Sequence, residues 1–345
     1  ARADEYVTTE TMRAMRVPAA GEPFEAVEVP IPEPSATEVR VAVEACGICH
    51  SDVFVKSGAH PAVEYPRIPG HEIAGRIDAV GDDVERWEPG DRVGVGWHGG
   101  HCFTCDPCRR GDFQGCEHGE ITGLTFDGGY AEYATVPAEA VGAIPDALGA
   151  VEAAPLLCAG ITTFNALRNA EADPGDLVAV QGIGGLGHLG LQYAHEMGFE
   201  TVALSRSADK ESLAASLGAD HFVDTSERDA GEALQSLGGA RVVLATAPSA
   251  DAIAAAAAGI GRDGSLVAVG VPDESVEVDV QHLVGTRGAI EGWASGHAAD
   301  WEDTLAFSAL RDVTPTVETM PLEEAETAYE RMLANEARFR IVLEP

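Results

Sequence analysis

Four cysteines, Cys102, Cys105, Cys108 and Cys116, form a C-x2-C-x2-C-x7-C run. A compact loop with that spacing can wrap four thiolates around one tetrahedral ion. Four sulfurs leave no position for water, which is the chemistry of a closed, structural zinc site. Two local disulfides are the alternative, a poor match to a chain of 345 residues. His98, His101 and His118 flank this loop and read as ordinary loop histidines, because four sulfurs already complete the shell. The other cysteines need a different account. Cys49-His50-Ser51-Asp52 follows an alternating apolar stretch, Gly70-His71-Glu72 comes further on, and Cys158 sits in the segment LLCAG. Cys49, His71 and Cys158 would make a two-cysteine, one-histidine set with an open fourth position, the pattern for a catalytic zinc. Only a fold can bring residues so far apart together.

A second chemistry is written at Gly182-Ile183-Gly184-Gly185-Leu186-Gly187, a G-x-G-x-x-G match between an apolar strand and an amphipathic helix. Gly182 allows the tight turn, Gly184 lets a pyrophosphate approach the backbone, and Gly187 permits close packing of helix on strand. The helix N-terminus offers free N–H groups and a positive dipole end. An NAD site would place an acid at the end of the next strand to hold the ribose 2′-OH. Here that strand ends in Ser205-Arg206-Ser207, with Lys210 following. Arg206 can hold a 2′-phosphate bidentately and the serines can donate to it, so NADP is expected in preference to NAD.

The elements that must position these groups fall into two rhythms. Up to about residue 150 the chain reads as short alternating strands broken by Gly and Pro: 38–48, 73–81, 91–97 and 128–137. That is the mark of a barrel-like β domain. From there to about 295, apolar strands at 176–182, 201–205, 241–246 and 265–270 alternate with helix-length segments such as 186–198. This predicts βαβ units and a parallel sheet. Two helices are expected near 300–310 and 322–335, before a final strand-like RFRIVLEP. The alanine run at 252–259 reads as a packed helix.

Composition bounds the function. A length of 345 residues suggests two domains. Apolar residues make up 45% and no uninterrupted run reaches the ~18 residues of a membrane helix. ARADEYVTTE, the first ten residues, has neither a basic patch nor an apolar stretch, so no secretory signal and a cytoplasmic location are expected. Seven cysteines, an odd number, favour metal or catalytic use over disulfides. The net charge is −35, a field that repels nucleic acid and anionic membranes. Lys56 and Lys210 are the only lysines among 22 basic residues. A merely acidic protein is the plain reading. The sharper one is an extreme halophile, because a carboxylate-covered surface stops self-repelling when molar salt shrinks the Debye length to about 3 Å.

Taken in order, CGICHSD (46–52), PGHE (69–72), the four-cysteine loop, LLCAG and GIGGLG (182–187) resemble the zinc-dependent alcohol dehydrogenases of the medium-chain dehydrogenase/reductase superfamily. The resemblance spans essentially the whole chain. It implies a GroES-like β-barrel catalytic domain over 1–153 with the structural zinc loop. A Rossmann domain, a doubly wound parallel sheet, would follow over 154–294, with a return to the catalytic domain over 295–345. The active site would lie in the cleft between the domains. By the same resemblance Cys49, His71 and Cys158 are the catalytic zinc ligands, Glu72 an acid that can approach the metal, and Cys46 a small buried residue outside the shell. Asp52 would fix the tautomer of His71. His50 and Arg340 would reach the cofactor pyrophosphate. Thr162, Gly185, Leu186, Thr246, Gly270 and Val271 would line the cofactor, and Trp97 the substrate pocket. Many relatives carry a relay histidine five residues after the first ligand. Here Phe54 stands there, so the proton path is expected to start at Ser51.

The expected activity is reversible hydride transfer between a small primary or secondary alcohol and NADP, with one catalytic and one structural zinc per chain. A homo-oligomer, a tetramer rather than a dimer, is expected by analogy. A polyol or sugar dehydrogenase of the same superfamily is the nearest rival, but such enzymes commonly carry Glu where this chain has Cys158. A non-catalytic nucleotide-binding relative would be expected to have lost zinc ligands, and every expected ligand is present.

Overall fold

The computed structural model describes residues 10–345; the expectation about a secretory signal rests on residues 1–10, of which 1–9 lie outside the described residues. The chain divides into two compact units. The first holds the described residues up to Cys158 together with His297–Leu305 and Thr316–Pro345; the second holds Ala159–Gly296 and Ala306–Pro315.

The first unit is built on a seven-stranded sheet. Its path runs Val317–Pro321, Arg340–Glu344, Glu38–Gly47, Ile73–Val80, Arg92–Val95 and Gly142–Ala143, with Tyr133–Pro137 also paired to Glu38–Gly47. Glu38–Gly47 forms a strand because Val39, Val41 and Val43 alternate to one buried face while their neighbours remain more exposed. It is the hub of the barrel, pairing antiparallel with Ile73–Val80, Tyr133–Pro137 and the final strand Arg340–Glu344. The strand expected over 128–137 begins only at Tyr133. Residues 128–130 instead turn their backbone N–H groups onto Ile68, Pro69 and Gly70. The glycines allow this: a Cβ on Gly128 would sit 2.2 Å from the Gly70 carbonyl oxygen. A hairpin, Thr11–Arg16 with Glu25–Pro30, adds to this unit.

The second unit is a six-stranded parallel sheet. Its spatial order is His221–Asp224, Glu200–Ser205, Leu177–Gln181, Ala240–Ala245, Ile260–Ala268 and Ala289–Gly292, which is 3-2-1-4-5-6 in chain order within the sheet. This is the doubly wound Rossmann arrangement. Leu177–Gln181 is buried throughout, as expected of a strand covered on both faces. The helix Gly187–Glu196 follows it.

The helical run Ala150–Asn169 carries Cys158. It is long and apolar enough to cross a membrane by composition, yet 78% of its apolar window is buried in the protein, as in a core helix. Pro155 lies inside it, and Leu156–Gly160 widens into a π-helical turn. A proline removes one backbone donor, and single π turns are a frequent device for re-aiming a side chain.

Candidate active site and metal centres

Cys49 leaves the strand Glu38–Gly47 and caps a short 3₁₀ turn, His50–Asp52. The cap is reciprocal: the Ser51 N–H donates to Cys49 Sγ at 3.5 Å, and the Cys49 N–H donates to Asp52 Oδ2 at 2.9 Å. Asp52 is 1% exposed. Its Oδ1 lies 3.2 Å from His71 Nδ1, and its Oδ2 also accepts the Tyr130 hydroxyl at 2.7 Å. With Nδ1 donating to Asp52, the Nε2 lone pair of His71 is left over; that atom is buried with no hydrogen-bond partner.

Three chain segments bring donors to one point. The ligand atoms of Cys49, His71, Glu72 and Cys158 all lie within 4.8 Å of one another. Cys49 Sγ and Cys158 Sγ are 3.6 Å apart, too far for a disulfide. Two sulfurs each ~2.3 Å from a tetrahedral zinc would stand about 3.8 Å apart, so the pair fits a metal. The orphaned His71 Nε2 supplies the third donor. The hydrogen bond between the two thiols pulls Cys49 well below the ordinary thiol range and pushes Cys158 well above it.

Glu72 is fully buried and accepts a hydrogen bond from the Arg340 guanidinium, itself 8% exposed. Its second oxygen, Oε2, has no partner. Burial raises the Glu72 carboxyl to about 7 against the pull of Arg340. Gly47 makes room for it: a Cβ there would lie 1.9 Å from Glu72 Oε2. Arg340, which the resemblance assigned to a pyrophosphate, thus pairs with a carboxylate beside the sulfur–imidazole set. Cys46 is fully buried and outside the group of ligand atoms. Beside the set, the Trp97 ring lies edge-on to His71 at 4.9 Å, and Phe54 packs 6.2 Å from Trp97. Ser51 is half-buried and His50 exposed.

The second cluster is Cys102, Cys105, Cys108 and Cys116, with no histidine among its ligand atoms. All four are unbridged. Backbone N–H groups of Cys102 and His118 donate to Cys116 Sγ at 3.3 and 3.4 Å, and that of Cys105 to Cys102 Sγ at 3.4 Å. Such donors suit thiolates, and the donor set fits a closed four-sulfur ion.

In the second unit the glycine turn lies at the carboxyl ends of the strands, where the strand order reverses. Gly182 has φ of 94°, and a Cβ on Gly187 would meet the Gly182 carbonyl oxygen at 1.8 Å. A Cβ on Gly184 would meet nothing within 4 Å, so the backbone is open to an approaching anion. Thr246 Oγ1 donates to the Gln181 carbonyl at 2.8 Å, and a Cβ on Gly270 would crowd the Thr246 carbonyl at 2.5 Å. These residues therefore share the turn's surroundings. Val271 is 83% exposed. Ser205 is buried at the end of its strand and Arg206 is exposed. Lys210 donates to the Ile183 carbonyl at 2.8 Å, so it grips the turn itself. Ser207 donates to the Asp209 carboxylate, which brings an acid to this corner four residues past the strand end. Thr162 is buried in the helix Ile161–Asn169.

Sequence reasoning did not single out Tyr130, Gly47 or the pairing of Glu72 with Arg340. Tyr130 lies in GGYAEY, which alternates like a strand and carries no sign of a polar role.

Residues 35–146 match the alcohol dehydrogenase GroES-like domain and residues 185–309 the zinc-binding dehydrogenase domain. Alcohol dehydrogenase patD of Penicillium expansum is 45% identical over 316 residues, covering 92% of each chain. An alcohol dehydrogenase of Geobacillus stearothermophilus is 40% identical over 334 residues, 96% of this chain and 99% of its own. A cobalt- and zinc-bound thermostable alcohol dehydrogenase from Pyrobaculum aerophilum superposes with a TM-score of 0.87 at 31% identity, covering 97% of this chain and 100% of its own.

Proposed function

Because the chain belongs to the zinc-type alcohol dehydrogenases of the medium-chain dehydrogenase/reductase superfamily, we propose that it oxidises small primary and secondary alcohols reversibly with NADP. The observation that carries this reading is the convergence of Cys49, His71 and Cys158 around a buried, unpartnered His71 Nε2.

A zinc ion held by Cys49, His71 and Cys158 would supply Lewis acidity toward an alcohol or carbonyl oxygen. Hydride chemistry belongs to the nicotinamide. The protein's own residues do the rest. Asp52 keeps the proton on His71 Nδ1, so that Nε2 faces the sulfurs. Ser51 Oγ would accept the alcohol proton while its own hydroxyl proton passes to the cofactor ribose and on to water, since Phe54, where many relatives have histidine, cannot carry it. The Trp97 ring packs against His71 and Phe54 against Trp97, so apolar rings line that side of the set. Glu72, held by Arg340, is the acid available to the metal set. The four-cysteine loop would hold a second, structural zinc. The segments 1–153, 154–294 and 295–345 would serve as catalytic domain, cofactor domain and return to the catalytic domain, except that 154–158 belong to the first unit and 295–296 and 306–315 to the second.

For the cofactor, Gly182, Gly184, Gly185, Leu186 and Gly187 would cradle the pyrophosphate, and exposed Arg206 would bind the 2′-phosphate with Ser205, Ser207 and Lys210 around it. His50 would contribute from beside Cys49. Asp209 favours the second reading, NAD, because it already takes the Ser207 hydroxyl. Kinetics with both cofactors decide: NADP should be preferred, and Arg206→Ala should remove much of the preference. A preference for NAD in the unmutated protein refutes the assignment. A panel of ethanol, propanol, benzyl alcohol and glucose tests the substrate class; glucose turned over best would reject it.

The net charge of −35 supports an enzyme adapted to a salt-filled cytoplasm; a homotetramer rests on analogy with the family alone. Stability should fall as salt is lowered from molar to dilute; a salt-independent unfolding curve would remove the salt-adapted reading.

A further inference from the structure

Tyr130 lies outside the donor set yet holds the histidine ligand from two directions. Its ring is fully buried, edge-on to Phe24 at 5.9 Å. Its hydroxyl donates to Asp52 Oδ2 at 2.7 Å, the oxygen that also accepts the Cys49 N–H. Two donors on Oδ2 stop the carboxylate from rotating, which leaves Oδ1 for His71 Nδ1 at 3.2 Å. The main chain makes the second grip. The Tyr130 N–H donates to the Pro69 carbonyl at 2.9 Å, and the neighbouring Gly129 N–H to the Gly70 carbonyl at 2.9 Å. Gly70, immediately before His71, has φ of 102°, and a Cβ there would lie 2.5 Å from Tyr130 Cδ1. The backbone leading into His71 is therefore shaped around this ring, while the ring's hydroxyl fixes the partner of the imidazole.

We propose that Tyr130 is a positioning residue: through Asp52 and through the Pro69–Gly70 backbone it aims His71 Nε2 at the Cys49–Cys158 pair. The proposal rests on the metal-site reading above. It assigns to a phenol hydroxyl the task of making the second link to the ligand rigid, since partners of metal ligands commonly change metal affinity 10- to 100-fold when removed.

The test is Tyr130→Phe in the full chain, which keeps the ring and deletes only the hydroxyl. Zinc is replaced by cobalt, whose visible bands distinguish a four-sulfur set from a two-sulfur, one-nitrogen set. Release of each cobalt to a chelator is then followed separately. The expected result is release from the Cys49–His71–Cys158 set about tenfold faster, with altered bands at that set and unchanged release from the four-cysteine loop. In an Asp52→Asn background the same substitution should add less than about twofold. Unchanged release, or equal acceleration at both sites, overturns the proposal, the latter because it signals general loosening. Unmutated protein that takes up cobalt only in the four-cysteine loop overturns the metal-site reading and this inference with it.

Discussion

Cys49 Sγ and Cys158 Sγ meet at 3.6 Å across 109 residues of chain. One is delivered by a capped turn at the end of a barrel strand, the other by a widened turn inside a long helix. Cys49 Sγ also caps its own turn, but Ser, Thr, Asp or Asn would serve there as well, so the meeting of the two sulfurs is a property of the fold. Cys158→Ser should therefore reduce zinc from two to one per chain. Its kcat/KM should fall well beyond the 10- to 100-fold typical of losing a ligand's partner. Metal analysis of the purified variant and steady-state kinetics read both; two zincs retained with full activity would contradict the assignment.

The four-cysteine loop should behave differently. Cys108 is 5% exposed and sits with three other sulfurs in a loop with little regular structure. Such a loop depends on the ion for its order. Cys108→Ser should lower the thermal midpoint by several degrees, while the cobalt bands of the Cys49–His71–Cys158 set persist. Loss of both sets of bands together would show that the loop and the catalytic set fold as one unit.

Much of this was legible in advance, for reasons that lie in the chain itself. The glycine turn and the four-cysteine loop are local constellations, readable from spacing, and Leu177–Gln181 declares itself by a continuous apolar run. Tyr130 with Asp52 and Glu72 with Arg340 are 78 and 268 residues apart, and periodicity says nothing about which turns will meet. The GGY segment alternates like a strand, yet its glycines bind the backbone at 68–70 instead. The hairpin strand Glu25–Pro30 escapes notice because it is nowhere fully buried.

Two glycines separate space from function. Gly47→Ala places a Cβ 1.9 Å from Glu72 Oε2, and overpacking of this kind costs ~1–3 kcal/mol. It should destabilise the protein and disturb Glu72. Gly184→Ala meets nothing within 4 Å, so stability should hold while cofactor affinity falls, because the methyl occupies the approach to the backbone. Thermal unfolding and cofactor titration give the two readouts. Gly184→Ala with unchanged cofactor affinity would remove that glycine from the binding turn.

His98 should make stability depend on pH. It is 7% exposed, with the rings of His101 at 5.2 Å and His297 at 6.4 Å. Burial, reinforced by these neighbours, pushes it down to about 4. Between that value and the ordinary 6.5 or so the unfolded chain binds the extra proton. Stability from this group is thus complete above the ordinary value and is lost as pH falls toward 4, by up to about 3 kcal/mol. Denaturant unfolding at pH 7 and pH 5 should show His98→Phe losing less than the unmutated protein. Equal losses would contradict this account.

The central claim is tested most directly by a crystal structure of the cofactor-bound protein with anomalous scattering recorded at the zinc edge. A peak is expected within bonding distance of Cys49 Sγ, His71 Nε2 and Cys158 Sγ, in addition to one enclosed by Cys102, Cys105, Cys108 and Cys116. Anomalous density in the four-cysteine loop alone, with Cys49 and Cys158 unliganded, would contradict it.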